Sequence, residues 1–187
     1  MSRVDRDPDR AGAGERLRAV FRRIFGDAEN PLSWAVPIGR VADIAIKRHL
    51  LFIVYAIGQV LWSIRGGAAG MAYTAMAMGA LFALVLLHEF GHCFACRFVK
   101  GEADEIILWP LGGLAMCAPP DTWRAHLVTA AGGPLVNVVI FPVTALALLL
   151  AGHPEAILFN PFDPLIAVGM FGDYATIALW WLHYINL

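Results

Sequence analysis

Ionisable residues are scarce in this chain. Asp, Glu, Lys and Arg make up 16% of its 187 residues, where an average soluble domain has about 25%. The formal net charge is −1. With no excess of either sign to attract a polyanion, nucleic-acid binding is excluded as a function class. Cysteine is scarce too: three is an odd number and cannot build a disulfide framework. Internal repeats and low-complexity tracts are absent. The first apolar run is expected to be a retained helix and not a cleaved signal. The first apolar run begins near residue 49, past the usual window of about 15–30 residues, and no small-residue cleavage site closes it. What fills the sequence instead is apolar, 59% hydrophobic residues against about 45–50% in soluble domains. That excess rules out a soluble enzyme and a disordered chain, and puts the protein in a membrane.

The charges that exist gather at one end. Ten of the fourteen Lys and Arg residues precede His49. Beyond them, residues 49–64, 66–88 and 125–154 carry no charge, and residues 164–187 carry only Asp173. A spanning helix needs about 20 mostly apolar residues, with a range of about 17–25. The second and third runs meet that length, the first is short and is extended by Ile44 and Ile46, and the fourth reaches the last residue. The expected fold class is therefore all-α, a polytopic transmembrane bundle of about four helices. Between the second and third runs, residues 101–120 (GEADEIILWPLGGLAMCAPP) are too short to span. Pro110, Gly112 and Gly113 punctuate them, which predicts a short β-hairpin or re-entrant loop.

Residues 1–35 read as a cytoplasmic tail and residues 36–187 as the membrane core. In the tail, residues 2–14 read as disordered. Leu17, Val20, Phe21, Ile24 and Phe25 then recur at helical spacing among Arg16, Arg18, Arg22 and Arg23. This basic amphipathic helix fits either the anionic face of a membrane or packing in a small cytosolic cap. Basic residues in the tail and at Arg97, Lys100 and Arg124 place the N-terminus in the cytoplasm. That topology suits a bacterial inner membrane.

The second uncharged run closes on His88-Glu89-Phe90-Gly91-His92. Helical positions four apart lie one turn up on the same face, so both imidazoles can reach one ion. Zinc suits the pair, because a catalytic zinc site takes three protein ligands and keeps an open position. Glu89 flanks the ion and is free to move a proton between the attacking water and the leaving amine. Chance supplies this pattern to a chain of this length on the order of 1% of the time. Ionisable groups in a membrane helix are functional by default.

An HExGH on a membrane helix, a WPLGG segment at residues 109–113 and AGGPLVN at residues 131–137 together are similar to the site-2 protease family of intramembrane zinc metalloproteases. The resemblance runs from about Val36 to the end of the chain. It implies Zn2+ as cofactor, His88 and His92 as metal ligands and Glu89 as the catalytic acid/base. It further implies that Gly132, Gly133, Pro134 and Asn137 lie on a helix packed beside the site. Small residues allow such close approach. For Asn137, a hydrogen bond near the substrate and a plain helix–helix contact both stand. The implied substrate is a single-span membrane protein cut in or near its membrane segment, with the lipid bilayer as the other partner. Extended substrate would add to an exposed edge of the hairpin. The alternatives are a catalytically silent relative that binds membrane proteins, which would have no use for Glu89, and an ion-translocating protein, which would need more ionisable residues than Asp173.

Similar proteins supply a third ligand from an Asp-Gly motif on a later helix. These 187 residues contain no such motif, and residues 184–187 resemble the lead-in to it. The expected third ligand is an Asp beyond Leu187, with His183 as the fallback within the chain, and the chain by itself is expected to show little or no activity. Cys96 lies two turns, about 12 Å, from His88. Asp173 would sit mid-membrane, roughly 14 Å into the fourth helix. Cys93 and Cys96 read as packing, and His49, His126 and His153 as interfacial.

Overall fold

The computed structural model of the protein describes residues 34–110, 112–157 and 173–186. The tail with its amphipathic helix, and the start of the fourth apolar run, lie outside the described residues. The order of elements is β1 (Ala35–Val41), β2 (Ile44–His49), α1 (Leu50–Ser63), α2 (Gly67–Phe98), β3 (Glu102–Trp109), β4 (Gly112–Ala118), α3 (Trp123–Leu150) and α4 (Tyr174–Asn186).

The expected all-α bundle of four spanning helices is overturned by a four-stranded mixed sheet, ordered β1-β2-β3-β4. β1 pairs with β2 antiparallel, β2 with β3 parallel, and β3 with β4 antiparallel. The pairing expected within residues 101–120 is thus one half of a larger sheet. Its other half, β1 and β2, comes from residues 35–49, nearly all of them assigned to the membrane core, where Ile44 and Ile46 read as an extension of the first helix. Ile44 and Ile46 do not extend a helix; they alternate along β2 and are buried, facing the core with Ile106 and Leu108 of β3. Period-two burial is the signature of a half-buried strand. The β1–β2 turn is tight, with Ala42 and Asp43 at positive φ, the backbone that two-residue hairpin turns require.

A parallel strand pair needs a crossover, and here α1 and α2 supply it. The chain reverses through a turn of 3-10 helix at Ile64–Gly66. Gly67 then takes φ +65, which a side chain would resist. The reversal lays α1 back along α2, with Phe52 beside Phe82 at 6.0 Å between ring centroids. Among the described residues, two helical stretches are long and apolar enough to cross a membrane, Leu50–Phe98 and Trp123–Leu150. Their outward residues, such as Leu61, Trp62, Leu135 and Val139, are exposed large hydrophobics.

α2 does not stop at the motif, as the run of uncharged residues suggested, but continues to Phe98. Arg97 in its last turn donates to the main-chain oxygens of Ala42 and Ala103, which fastens the helix end to the β1–β2 turn and to β3. The sheet packs on this last part of α2 through Cys93 and Cys96. A second buried cluster, Leu148, Ala156, Ile177 and Trp180, joins α3 to α4 at the opposite end. Asp173 lies just ahead of α4 and is exposed. Its carboxylate accepts from Thr176 N and Thr176 Oγ1, both at 2.8 Å.

Candidate active site

The site forms where α2 crosses α3. Gly91 and Gly132 meet there, and a Cβ on either would run into the main-chain oxygen of the other. Two glycines therefore let the backbones approach at the level of the motif. Across this contact, His88 Nδ1 donates to Asn137 Oδ1 at 3.3 Å, and His92 Nδ1 donates to the main-chain oxygen of Thr129 at 2.8 Å. With each Nδ1 proton so committed, a neutral imidazole presents its Nε2 lone pair on the other side. The two Nε2 atoms face each other at 3.2 Å.

Two acceptor nitrogens at that separation suit a shared cation. Two Zn–N bonds of about 2.0–2.1 Å at a tetrahedral angle put their nitrogens about 3.3 Å apart. Outward Nδ1 partners of this kind fix the tautomer and the ring plane of metal-binding histidines. Gly133 lies against the pair; a Cβ there would stand 2.6 Å from His88 Nε2 and press on His92 Nε2. Its lack of a side chain keeps that space open. The donor set thus fits zinc with two ligands. Among the described residues no group of three or more His, Cys, Asp or Glu side chains could hold a metal.

Glu89 is buried, 6% exposed. Its Oε2 accepts from the main-chain N–H of Ala115 on β4 at 3.0 Å. Gly113, two residues earlier on β4, sits against the Glu89 carboxylate, where a Cβ would stand 2.7 Å from Oε1. The strand following the helix thus holds the carboxylate in place through its backbone. A cavity of about 450 Å3 opens here, lined by His88, Glu89 and His92 together with Ala115, Cys117 and Thr129.

A family model described as Peptidase family M50 matches residues 76–177, more than half of the chain. The protein belongs to peptidase family M50. A zinc metalloprotease of Methanocaldococcus jannaschii is 27% identical over 109 residues, which cover 58% of this chain and 31% of that protein. The solved Site-2 Protease from Methanocaldococcus jannaschii shares the fold, with a TM-score of 0.51 and 23% identity. That match covers 81% of this chain and 62% of the solved one. The chain therefore spans about a third of the curated relative and less than two thirds of the solved protein. The resemblance read from HEFGH, WPLGG and AGGPLVN is to this same family.

Around the M50 motif, the structure brings His88, Glu89, His92, Gly133 and Asn137 together. Pro134, expected at the site, is exposed because its neighbour Gly133 takes the inward position. His183, the fallback third ligand, is not brought to the pair. It is fully buried, with Nδ1 against Thr144 Oγ1 at 2.8 Å and Nε2 against the Ile157 main-chain oxygen at 3.2 Å. Cys96 is also elsewhere, donating from Sγ to the Glu102 oxygen at 3.3 Å. His49 is buried and caps α1 by accepting from Leu51 N at 3.2 Å. Thr129 and Ala115 act through main-chain atoms, which no residue pattern announces.

Proposed function

We propose that this member of the M50 family is a zinc metalloendopeptidase that hydrolyses a peptide bond in or near the membrane segment of another protein. The observation that carries the proposal is the pair of Nε2 atoms 3.2 Å apart, each on a ring fixed from behind by α3. His88 and His92 would hold the zinc, with the third ligand coming from outside the described residues. When bound, zinc supplies a Lewis acid for the scissile carbonyl and lowers the pKa of water.

The chain's own groups do the rest. Ala115 N–H holds one oxygen of Glu89, which leaves the other to take the proton of the attacking water and pass it to the leaving amine. Ala115 donates to Glu89 and not across to β3, so its N–H points to the free edge of the sheet. β4 is the terminal strand. An extended substrate adds to this edge, with main-chain hydrogen bonds giving affinity. A helix with its side chains is about 10–12 Å across, so the substrate reaches the cavity unwound.

The protein lies in the membrane as a multi-pass chain with its N-terminus in the cytoplasm. Arg65 over the Trp62 ring at 4.9 Å and Arg124 over the Trp123 ring at 5.3 Å support interfacial positions for these two helix ends. The test is cleavage of a tagged single-span substrate by the full-length protein and by Glu89→Gln. Cleavage lost with zinc retained is expected. Equal processing by the variant would sink the proposal.

A further inference from the structure

A second cavity opens on the same residues from the other side. It holds about 320 Å3 and is walled by Leu84 and Val85 of α2, Gly112 and Gly113 of β4, Asn137 of α3 and Ile185 of α4, with His88 and Glu89 between the two spaces. The walls differ in chemistry. Apart from the His88, Glu89 and Gly113 they share, the first cavity presents His92, Cys117 and Thr129 beside Leu114 and Ala115; the second presents Leu84, Val85 and Ile185 beside the single amide of Asn137. Leu84 lies one turn before His88 on α2 and is 4% exposed, so its place relative to the motif is fixed by the helix itself.

The wall contributed by α4 is tied to the metal pair. Asn186 Nδ2 donates to the main-chain oxygen of Asn137 at 2.9 Å, and the side chain of that same Asn137 orients His88. Ile185 therefore keeps its distance from His88 through a single residue of α3. This is how a specificity wall is held when it comes from an element other than the one bearing the catalytic groups.

The geometry points to the aliphatic cavity as the subsite for the substrate residue that follows the scissile bond, with Ile185 determining which side chain fits. This inference rests on the protease proposal. β4 runs from Gly112, at the aliphatic cavity, to Cys117, at the other. A strand that adds antiparallel, the more stable sense per residue, passes Cys117 first and Gly112 last. Residues before the scissile bond then lie over His92, Thr129 and Cys117, and the residue after it enters between Leu84, Val85 and Ile185. The cavity is at the lower end of the range for ligand pockets, about 300–1,000 Å3. That is room for one side chain with a short length of extended backbone. The preferred class is a Leu-like aliphatic residue; a carboxylate there would lose its hydration against apolar walls.

The experiment uses single-span substrates that differ only at the residue after the cut, carrying Leu, Ala or Asp. They are cleaved by the full-length protein and by Ile185→Ala and Ile185→Phe, and zinc content is measured for each. Binding of the same labelled substrates to Glu89→Gln is measured in parallel. Hydrophobic pockets discriminate one methylene by about 10–200-fold. Leu is therefore expected to exceed Asp in kcat/KM by at least about 10-fold, and to bind Glu89→Gln more tightly. Ile185→Phe should lower the Leu-to-Ala ratio by about 10-fold or more, and Ile185→Ala, which removes a wall that a Leu side chain packs on, should lower the same ratio. Equal rates for the three residues, or Ile185 variants that change all substrates by one factor, would overturn the subsite. An aliphatic preference before the cut instead of after it would overturn its direction. Leu-selective binding to Glu89→Gln without any cleavage by the wild type would leave the pocket standing and overturn the protease proposal alone.

Discussion

Gly133→Ala is a small substitution with a large expected effect on zinc and none on the fold. An alanine Cβ would stand 2.6 Å from His88 Nε2, where ordinary contact begins at 3.4 Å, and would press harder still on His92 Nε2. At least one imidazole must retreat by about 0.8 Å, the difference between those two distances. Functional groups tolerate about 0.5 Å of displacement, and zinc ligands about 0.2 Å. Altering a hydrogen-bond partner of a ligand lowers metal affinity about 10–100-fold; displacing the ligands themselves should reach the upper figure. That is a loss of about 2.7 kcal/mol of binding free energy. The helix should gain, because alanine is about 1 kcal/mol better than glycine inside a helix. Weaker zinc with equal or higher thermal stability is therefore the signature, and it separates this effect from misfolding. The assay is zinc titration of the purified protein against a chromophoric chelator, beside a thermal melt. Gly79→Ala serves as the control, since nothing lies within 4 Å of a Cβ there. Unchanged zinc affinity in Gly133→Ala would refute the assignment of His88 and His92 as a ligand pair.

Other outcomes follow from single contacts. Asn137→Leu removes the acceptor that orients His88 and should weaken zinc binding by about 10–100-fold in the same titration, with little change in the melt. Gly91→Val puts branched bulk against the Gly132 carbonyl and should part α2 from α3, lowering thermal stability by about 1–3 kcal/mol as overpacked contacts do. Burial, with Cys93 and Cys96 beside it, pushes the Cys117 thiol up to about 12. At pH 8 its thiolate fraction is then about 10⁻⁴, so iodoacetamide should label it far more slowly than a free thiol, and ordinary labelling rates would contradict that burial. Asp173 is held below its usual carboxylate range by Thr176 N–H. The cap it forms on α4 is present above the unfolded value and lost as pH falls through the folded one. Protection of the Thr176 amide, its exchange rate taken relative to the intrinsic rate at each pH, should fall on acidification in the wild type and stay constant in Asp173→Ala.

The site was legible because chemistry demands particular side chains at particular spacing. HEFGH puts two imidazoles and a carboxylate on one helix, and AGGPLVN supplies both the glycines that open the α2–α3 contact and the asparagine behind His88. What stayed hidden works through the backbone. Thr129 offers a carbonyl and Ala115 an N–H, and neither contribution depends on residue type. The sheet was misread where apolar and charged residues run together. Residues 44–49 alternate with period two, but next to an uncharged run they look like its extension. The turn before them has Ala42 and Asp43 at positive φ and no glycine to mark it. Charge misled at the end of α2 as well. Glu89 looks like the boundary of a membrane helix, yet the helix continues to Phe98, with the Glu89 carboxylate accepting from β4 and Arg97 in the last turn donating to main-chain oxygens of β3 and the β1–β2 turn.

The most direct test is to let the full-length protein act on a single-span substrate in liposomes made up in H2(18)O, with zinc supplied. Mass spectrometry then locates the new termini. The account predicts one cut within or beside the substrate's membrane segment, (18)O in the new carboxyl terminus, and no product with Glu89→Gln. A cut confined to the substrate's soluble domain, or one that Glu89→Gln performs equally well, would contradict it.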